Sequence, residues 1–132
     1  MENEVKALVK DLSAASSKEK AAELVRILDQ KLAEDLLWID ATATSEITDY
    51  YIVATGRSST HVKALADEVE FEASRRNIPY LHQEGRDGGA WLLLDFADVI
   101  VHVFSREARE TYRFERLYKE EDYLDISSVL DD

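Results

Sequence analysis

Three apolar stretches constrain this chain more than anything else in it: Tyr50-Tyr51-Ile52-Val53-Ala54, Trp91-Leu92-Leu93-Leu94 and Val99-Ile100-Val101-His102-Val103-Phe104. Short runs of aliphatic, aromatic and β-branched residues fit a pleated strand. A strand that is apolar at consecutive positions, as the last two are, has no face to give to water and must be covered on both sides. The chain is therefore expected to build a sheet with central strands and helices packed on it.

The intervening segments supply those helices. Ser16, with Glu19 three residues later, forms a capping-box pattern, and Ala21, Leu24, Val25, Leu28 and Leu32 follow at amphipathic helical spacing. Val5 to Leu12 reads as a further short helix, with a break at Ser13 to Ser17. Leu36-Leu37-Trp38-Ile39 reads as a strand, and the gap from Asp40 to Asp49 is too short for a helical crossover, so this strand and Tyr50–Ala54 are expected to be antiparallel neighbours. After the Gly56-Arg57-Ser58-Ser59 turn, Val62, Leu65, Ala66, Val69 and Ala73 predict a helix from Thr60 to Asn77, closed by Pro79. Tyr80-Leu81-His82 can start a strand before the Gly85 to Gly89 turn, and Asp95 to Asp98 links the last two apolar stretches. Ser105 caps a final helix, Arg106 to about Leu117, with Ala108, Tyr112 and Glu115 on one face. The predicted order is α-β-β-α-β-β-β-α, an α/β (α+β) fold with a mixed sheet of about five strands flanked by helices.

At 132 residues, folding buries roughly two-thirds of the surface that the unfolded chain exposes, enough for one core but not for two domains. The organisation expected is an N-terminal extension over 1–16, a domain over 17–118 and an acidic tail over 119–132. That tail carries one lysine against six carboxylates and no sustained period, and reads as mobile or loosely docked. A formal charge of −12 repels phosphate backbones and anionic lipid, so a basic protein partner is favoured over nucleic acid or a membrane. The absence of cysteine excludes disulfides, thiolate metal sites and Cys nucleophiles. With no apolar signal core and no membrane-length run, the chain is expected to be cytoplasmic.

The catalytic constellations in the sequence are weak. The Gly56–Ser59 turn could hold an anion, but it lacks P-loop and dinucleotide spacing and reads as a turn with an N-cap. A strand, Gly-x-Ser and a helix in succession also resemble nucleotidyltransferases, which hold two metals with paired carboxylates, yet no Asp-x-Asp or Asp-x-Glu lies on a predicted strand. His61, His82 and His102 have no ligand spacing, and His102, in an apolar strand, reads as a hydrogen-bonded core histidine. Asp40, Thr44, Ser45 and Asp49 read as loop-satisfying polar groups. No cofactor, metal or catalytic residue is expected. What remains is a surface for binding. Trp91, Phe104, Tyr112, Phe114, Leu117, Tyr118 and Tyr123 concentrate apolar area beside Asp95, Asp98, Glu107, Glu110 and Glu115, although about half of the aromatics are expected to be core.

From Asp40 to Tyr118 the chain resembles the Iojap-like ribosomal silencing factor family. The resemblance is carried by Asp49-Tyr50-Tyr51-Ile52-Val53-Ala54-Thr55-Gly56 with Ser58-Ser59, by Glu84-Gly85, by Trp91-Leu92-Leu93-Leu94-Asp95 and by Asp98-Val99-Ile100-Val101-His102-Val103-Phe104. Arg109, Tyr112, Glu115, Leu117 and Tyr118 complete it. The chain departs from the family pattern at Thr48, Tyr51, His61 and Tyr118. The resemblance implies a non-enzymatic factor, nucleotidyltransferase-like in fold without the catalytic carboxylates. Such a factor binds the large ribosomal subunit through its fourteenth large-subunit protein and keeps the small subunit from joining, repressing translation. The alternatives it leaves open are a large-subunit assembly factor using the same surface and a nucleotide-binding enzyme. It implies a partner-binding set of Trp91, Asp95, Tyr112, Glu115, Leu117 and Tyr118. Trp91, Tyr112 and Leu117 would anchor, Asp95 and Glu115 would pair with partner Lys or Arg, and Asp49, Tyr50, Thr55 and Gly56 would be architectural. An exposed aromatic surface can also form a homodimer when off the ribosome.

Overall fold

The computed structural model describes residues 9–130. Within them the chain runs through α1 (Ser17–Gln30), β1 (Glu34–Asp40), β2 (Tyr50–Gly56), α2 (Ser59–Arg75), β3 (His82–Glu84), β4 (Trp91–Asp95), β5 (Val99–Ser105), α3 (Arg106–Tyr112) and β6 (Tyr123–Leu124), with 3-10 turns at Phe114–Leu117, Glu120–Asp122 and Ile126–Ser128. The sheet order is β3-β4-β5-β2-β1-β6. β2 and β5 form its centre and pair in parallel from Tyr50 opposite Val99 to Gly56 opposite Ser105, and every other pair is antiparallel. A parallel pair needs a crossover, and α2 with the β3–β4 hairpin supplies it.

Each helix starts as its sequence dictates. Ser16, Ser58 and Ser105 are the N-caps, their hydroxyls accepting from the amides of Glu19, His61 and Ala108 at 3.1, 3.1 and 3.2 Å. Gly56 is where α2 closes on β2, since a Cβ there would lie 2.8 Å from the Val62 side chain and 2.9 Å from its backbone nitrogen. α1 and α2 cover one face of the sheet with Leu24, Ile27, Leu28, Val62, Leu65 and Val69, against Ile52, Ala54, Leu92, Leu94, Val101 and Val103. An ion network ties the two helices: the Arg76 guanidinium donates to Glu23 at 2.6 Å and to Glu72 at 2.7 Å, and Arg26 donates to Glu23 at 2.8 Å. Burial alone would raise both carboxyl groups, but the arginines outweigh it and hold each below the ordinary glutamate value. No helix of the described residues is long and apolar enough to cross a membrane.

The expected mixed sheet flanked by helices, and the antiparallel β1–β2 pair, are found; six details differ. The acidic tail is docked: β6 pairs with β1 through Trp38 opposite Leu124 and Ile39 opposite Tyr123, making a sixth strand. Leu124, Ile126, Val129 and Leu130 pack on the core, and Arg26 donates to the Val129 carbonyl at 3.1 Å. Four apolar residues are too few to show a period, yet they suffice to cover an edge that would otherwise stay unpaired. The final helix stops at Tyr112 and not at Leu117, because Arg113 adopts a left-handed conformation (φ 48°, ψ 49°). β4 is not covered on both faces: Leu92 and Leu94 are buried, while Trp91, Leu93 and Asp95 are only half-buried. The third strand begins at His82, and Arg76 and Asn77 lie beyond the end of α2. Of the helix expected over Val5 to Leu12, residues 5–8 lie outside the described residues, and Val9–Leu12 is not helical.

Gly85 has φ +86°, and a Cβ on it would lie 2.1 Å from the Trp91 carbonyl oxygen, whereas a Cβ on Gly88 meets nothing within 4 Å. Gly85→Ala should therefore cost about 1–3 kcal/mol and Gly88→Ala less than about 0.5 kcal/mol, read as a shift in urea midpoint at unchanged slope. Equal midpoints for the two variants would contradict the strained β3–β4 turn.

Candidate functional site: a half-covered aromatic face

The sheet face turned away from α1 and α2 is built by strand alternation. β4 contributes Trp91, Leu93 and Asp95, β5 contributes Ile100, His102 and Phe104, and β2 contributes Tyr51, Val53 and Thr55. Among the described residues, two short pieces, α3 and the Phe114–Leu117 turn, follow the central strands to cover this face, together with Tyr118 and Tyr123. They shield β5 and β2 and leave β4 half open.

Trp91 stands at the boundary. Its ring packs on Phe104 at 4.8 Å and on Tyr112 at 4.9 Å, and its indole N–H donates to His102 Nδ1 at 2.9 Å. Since Nδ1 accepts, the His102 proton sits on Nε2, which is buried without a partner. His102 is 3% exposed, stacks on Phe114 at 4.2 Å and Tyr51 at 5.6 Å, and is pushed down to about 4 by burial. Tyr51 continues the cluster to Phe114 at 5.2 Å and to Tyr118 at 5.3 Å, where burial and then the neighbouring Tyr51 raise the Tyr118 phenol. By contrast Tyr112 is 57% exposed and Leu117 75% exposed, so both present apolar area to solvent.

Arg109 fixes this covering layer. Its Nη1 donates to the Asp35 carbonyl and to Thr55 Oγ1, both at 2.9 Å, while its Nε donates to both Glu115 carboxylate oxygens at 3.1 and 3.2 Å. The Tyr123 hydroxyl donates to the Glu115 carbonyl at 2.8 Å. One guanidinium thus joins β1, β2 and the Phe114–Leu117 turn, and the docked tail holds the same turn from the other side.

Of the six residues expected to bind a partner, the fold puts Trp91 and Tyr112 in contact and Tyr118 in the same aromatic cluster, with Leu117 projecting from the adjoining turn. Asp95 lies at the far end of β4, where its Oδ1 accepts from the Ala97 amide at 2.8 Å and its Oδ2 sits 3.7 Å from His82 Nδ1. Glu115 is engaged by Arg109. Sequence reasoning missed Leu93, half-buried between Trp91 and Asp95, and gave no role to Arg109. The signal for Leu93 was present: Asp95 shares its strand parity, which marks that side of β4 as solvent-facing. Among the described residues no group of three or more His, Asp or Glu side chains is placed to hold a metal. The Gly56–Ser59 segment is the turn and N-cap expected.

A family model described as "Ribosomal silencing factor during starvation" matches residues 14–132. The chain belongs to that family. The match takes in the docked tail as well as the Asp40 to Tyr118 stretch on which the Iojap-like resemblance rested. Over 98 residues the chain is 36% identical to ribosomal silencing factor RsfS of Bacillus subtilis, covering 74% of this chain and 83% of that protein. Over 98 residues it is 33% identical to the mouse protein named mitochondrial assembly of ribosomal large subunit protein 1, covering 72% of this chain and 43% of that one. The crystal structure of a Chromobacterium violaceum protein, 30% identical, superposes with a TM-score of 0.75 over 78% of this chain and 86% of that chain. Ribosomal silencing factors are regulators and not enzymes, as the resemblance implied.

Above the ordinary histidine value of 6.5, His102 is neutral in both folded and unfolded chains. As pH falls from 6.5 to about 4 only the unfolded chain takes up the proton, so stability is lost across that window, by roughly 3 kcal/mol in all. His102→Gln should flatten the loss in pH-dependent urea unfolding, and an NMR titration showing His102 near 6.5 would refute it. For the clamp, a double-mutant cycle of Arg109→Ala and Glu115→Ala should give a coupling of about 0.5–2 kcal/mol. A coupling near zero would mean that the pair does not hold the turn.

Proposed function

We infer that this chain docks on the large ribosomal subunit through the half-covered aromatic face, meets the basic fourteenth large-subunit protein there, and excludes the small subunit by its bulk. The observation that carries this reading is the open apolar strip of Trp91, Leu93, Tyr112 and Leu117 on a chain of net charge −12. Aromatic anchors on a chain of strong net negative charge suit a basic protein surface, the overall charge steering the encounter and the rings supplying most of the affinity. Asp95, on the open side of β4, is the carboxylate that faces the partner. Glu115 acts through Arg109, setting the turn that carries Leu117.

Occlusion requires nothing beyond binding. With the factor at 100 times its dissociation constant, joining must overcome about 2.7 kcal/mol to displace it. A second reading, assembly of the large subunit through the same face, is favoured by the similarity to the mouse protein of that name. The two differ in outcome: loss of a silencing factor lets mature subunits join, whereas loss of an assembly factor leaves immature ones.

Cosedimentation with purified subunits tests the docking. The chain should pellet with the large subunit alone and reduce joined ribosomes when added first. Trp91→Ala and Tyr112→Ala, checked for retained fold, should each weaken binding by about 1–3 kcal/mol. Binding only to the small subunit, or full binding by both variants, would overturn the assignment.

A further inference from the structure

A groove lies on the other side of the sheet, away from Trp91. On α2 the residues that face the sheet are Val62, Leu65, Ala66, Val69 and Ala73. Asp67, Glu70, Phe71 and Ser74 recur at i, i+3, i+4 and i+7 and form a separate flank of the same helix. Together with Ile78 and Tyr80, from the segment that leads into β3, this flank lines a groove of about 520 Å³. Its floor is built and rigid: Ile78 is 3% exposed, and Tyr80 packs its ring on the buried Phe96 at 5.3 Å.

The chemistry of the groove is apolar with one free negative charge. Phe71 is 58% exposed, which is unusual for a ring with a buried apolar floor beside it. Arg75 lies 5.8 Å from the centre of that ring and is itself paired with Glu72 at 3.0 Å. Asp67 is neutralised by a bidentate pair with Arg86, at 2.7 and 3.0 Å, which walls one end. Glu70 has no ion-pair partner among the described residues, and its charge stands beside the Tyr80 hydroxyl, whose pKa burial and then Glu70 push up. An apolar side chain would enter between Phe71, Ile78 and Tyr80, and a cationic one would meet Glu70 and the ring of Phe71.

We propose that the groove between α2 and the Ile78–Tyr80 segment is a docking site for a basic protein segment carrying an alternating aliphatic side chain, distinct from the aromatic face. Charge complementarity selects this occupant: Glu70, without an ion-pair partner among the described residues, favours a cation, and the chain's overall negative charge speeds the encounter. This groove is independent of ribosome docking. It gives the factor a second handle, left free when the Trp91 face is occupied.

The test uses the full chain and two labelled peptides, one alternating arginine and leucine and one with serine replacing leucine, followed by fluorescence polarisation at physiological ionic strength. The leucine peptide should bind saturably and the serine peptide at least about tenfold more weakly. Phe71→Ser, at an exposed position, and Glu70→Gln, at a half-buried one without an ion pair, both checked for an intact fold by thermal melting, should each weaken the leucine peptide by about five- to thirtyfold. Trp91→Ala should leave it unchanged. Equal binding of both peptides, indifference to both groove variants, or loss of binding in Trp91→Ala would each overturn the proposal. So would self-association of the free chain in sedimentation equilibrium that Phe71→Ser abolishes, because the occupant would then be a second copy.

Discussion

The parallel pairing of β2 with β5 is the constraint on which the rest of the structure depends. Both strands are buried at almost every position, so neither face can be left to water. One face receives two helices of 14 and 17 residues and is sealed. The other receives a seven-residue helix and a few short turns, too little material to seal a six-stranded sheet. The proposed docking surface is the consequence of that shortfall. Where the cover ends, at β4, aromatic side chains that would otherwise be core lie half in solvent.

A partly covered face needs support if it is to present one shape. The Trp91–His102 hydrogen bond orients the central indole from beneath, using a histidine that burial keeps neutral. Arg109 secures the turn above it to the sheet, and Tyr123 in the docked tail secures the same turn from the side. The anchors are thereby held before any partner arrives, which lowers the ordering cost of binding. The acidic tail becomes a structural part of the site.

Sequence reading recovered what strong local patterns encode. The capped amphipathic helices, the apolar strands and the antiparallel β1–β2 pair rest on period, length and turn chemistry, and the structure has them. The family was legible because several blocks stood in order over about eighty residues. What was lost depended on tertiary context. The stop after Tyr112 is imposed by a left-handed arginine, a residue that carries no breaker signal. β6 is two residues long and exists only because β1 offers an edge. Glu115 looked like a free carboxylate at helical spacing from Tyr112, and only the folded chain shows Arg109 reaching it. For β4, continuous apolarity suggests two-sided burial, whereas the parity of Asp95 marks one side as open.

On this reading the half-covered aromatic face is the surface applied to the ribosome. Hydroxyl-radical footprinting of the chain, free and bound to purified large subunits, tests it most directly. Protection of Trp91, Leu93, Tyr112 and Leu117, with Phe71 on the helical side still reactive, is the predicted result. Protection confined to Phe71 and the helical side, with Trp91 and Tyr112 as reactive as in the free protein, would contradict it.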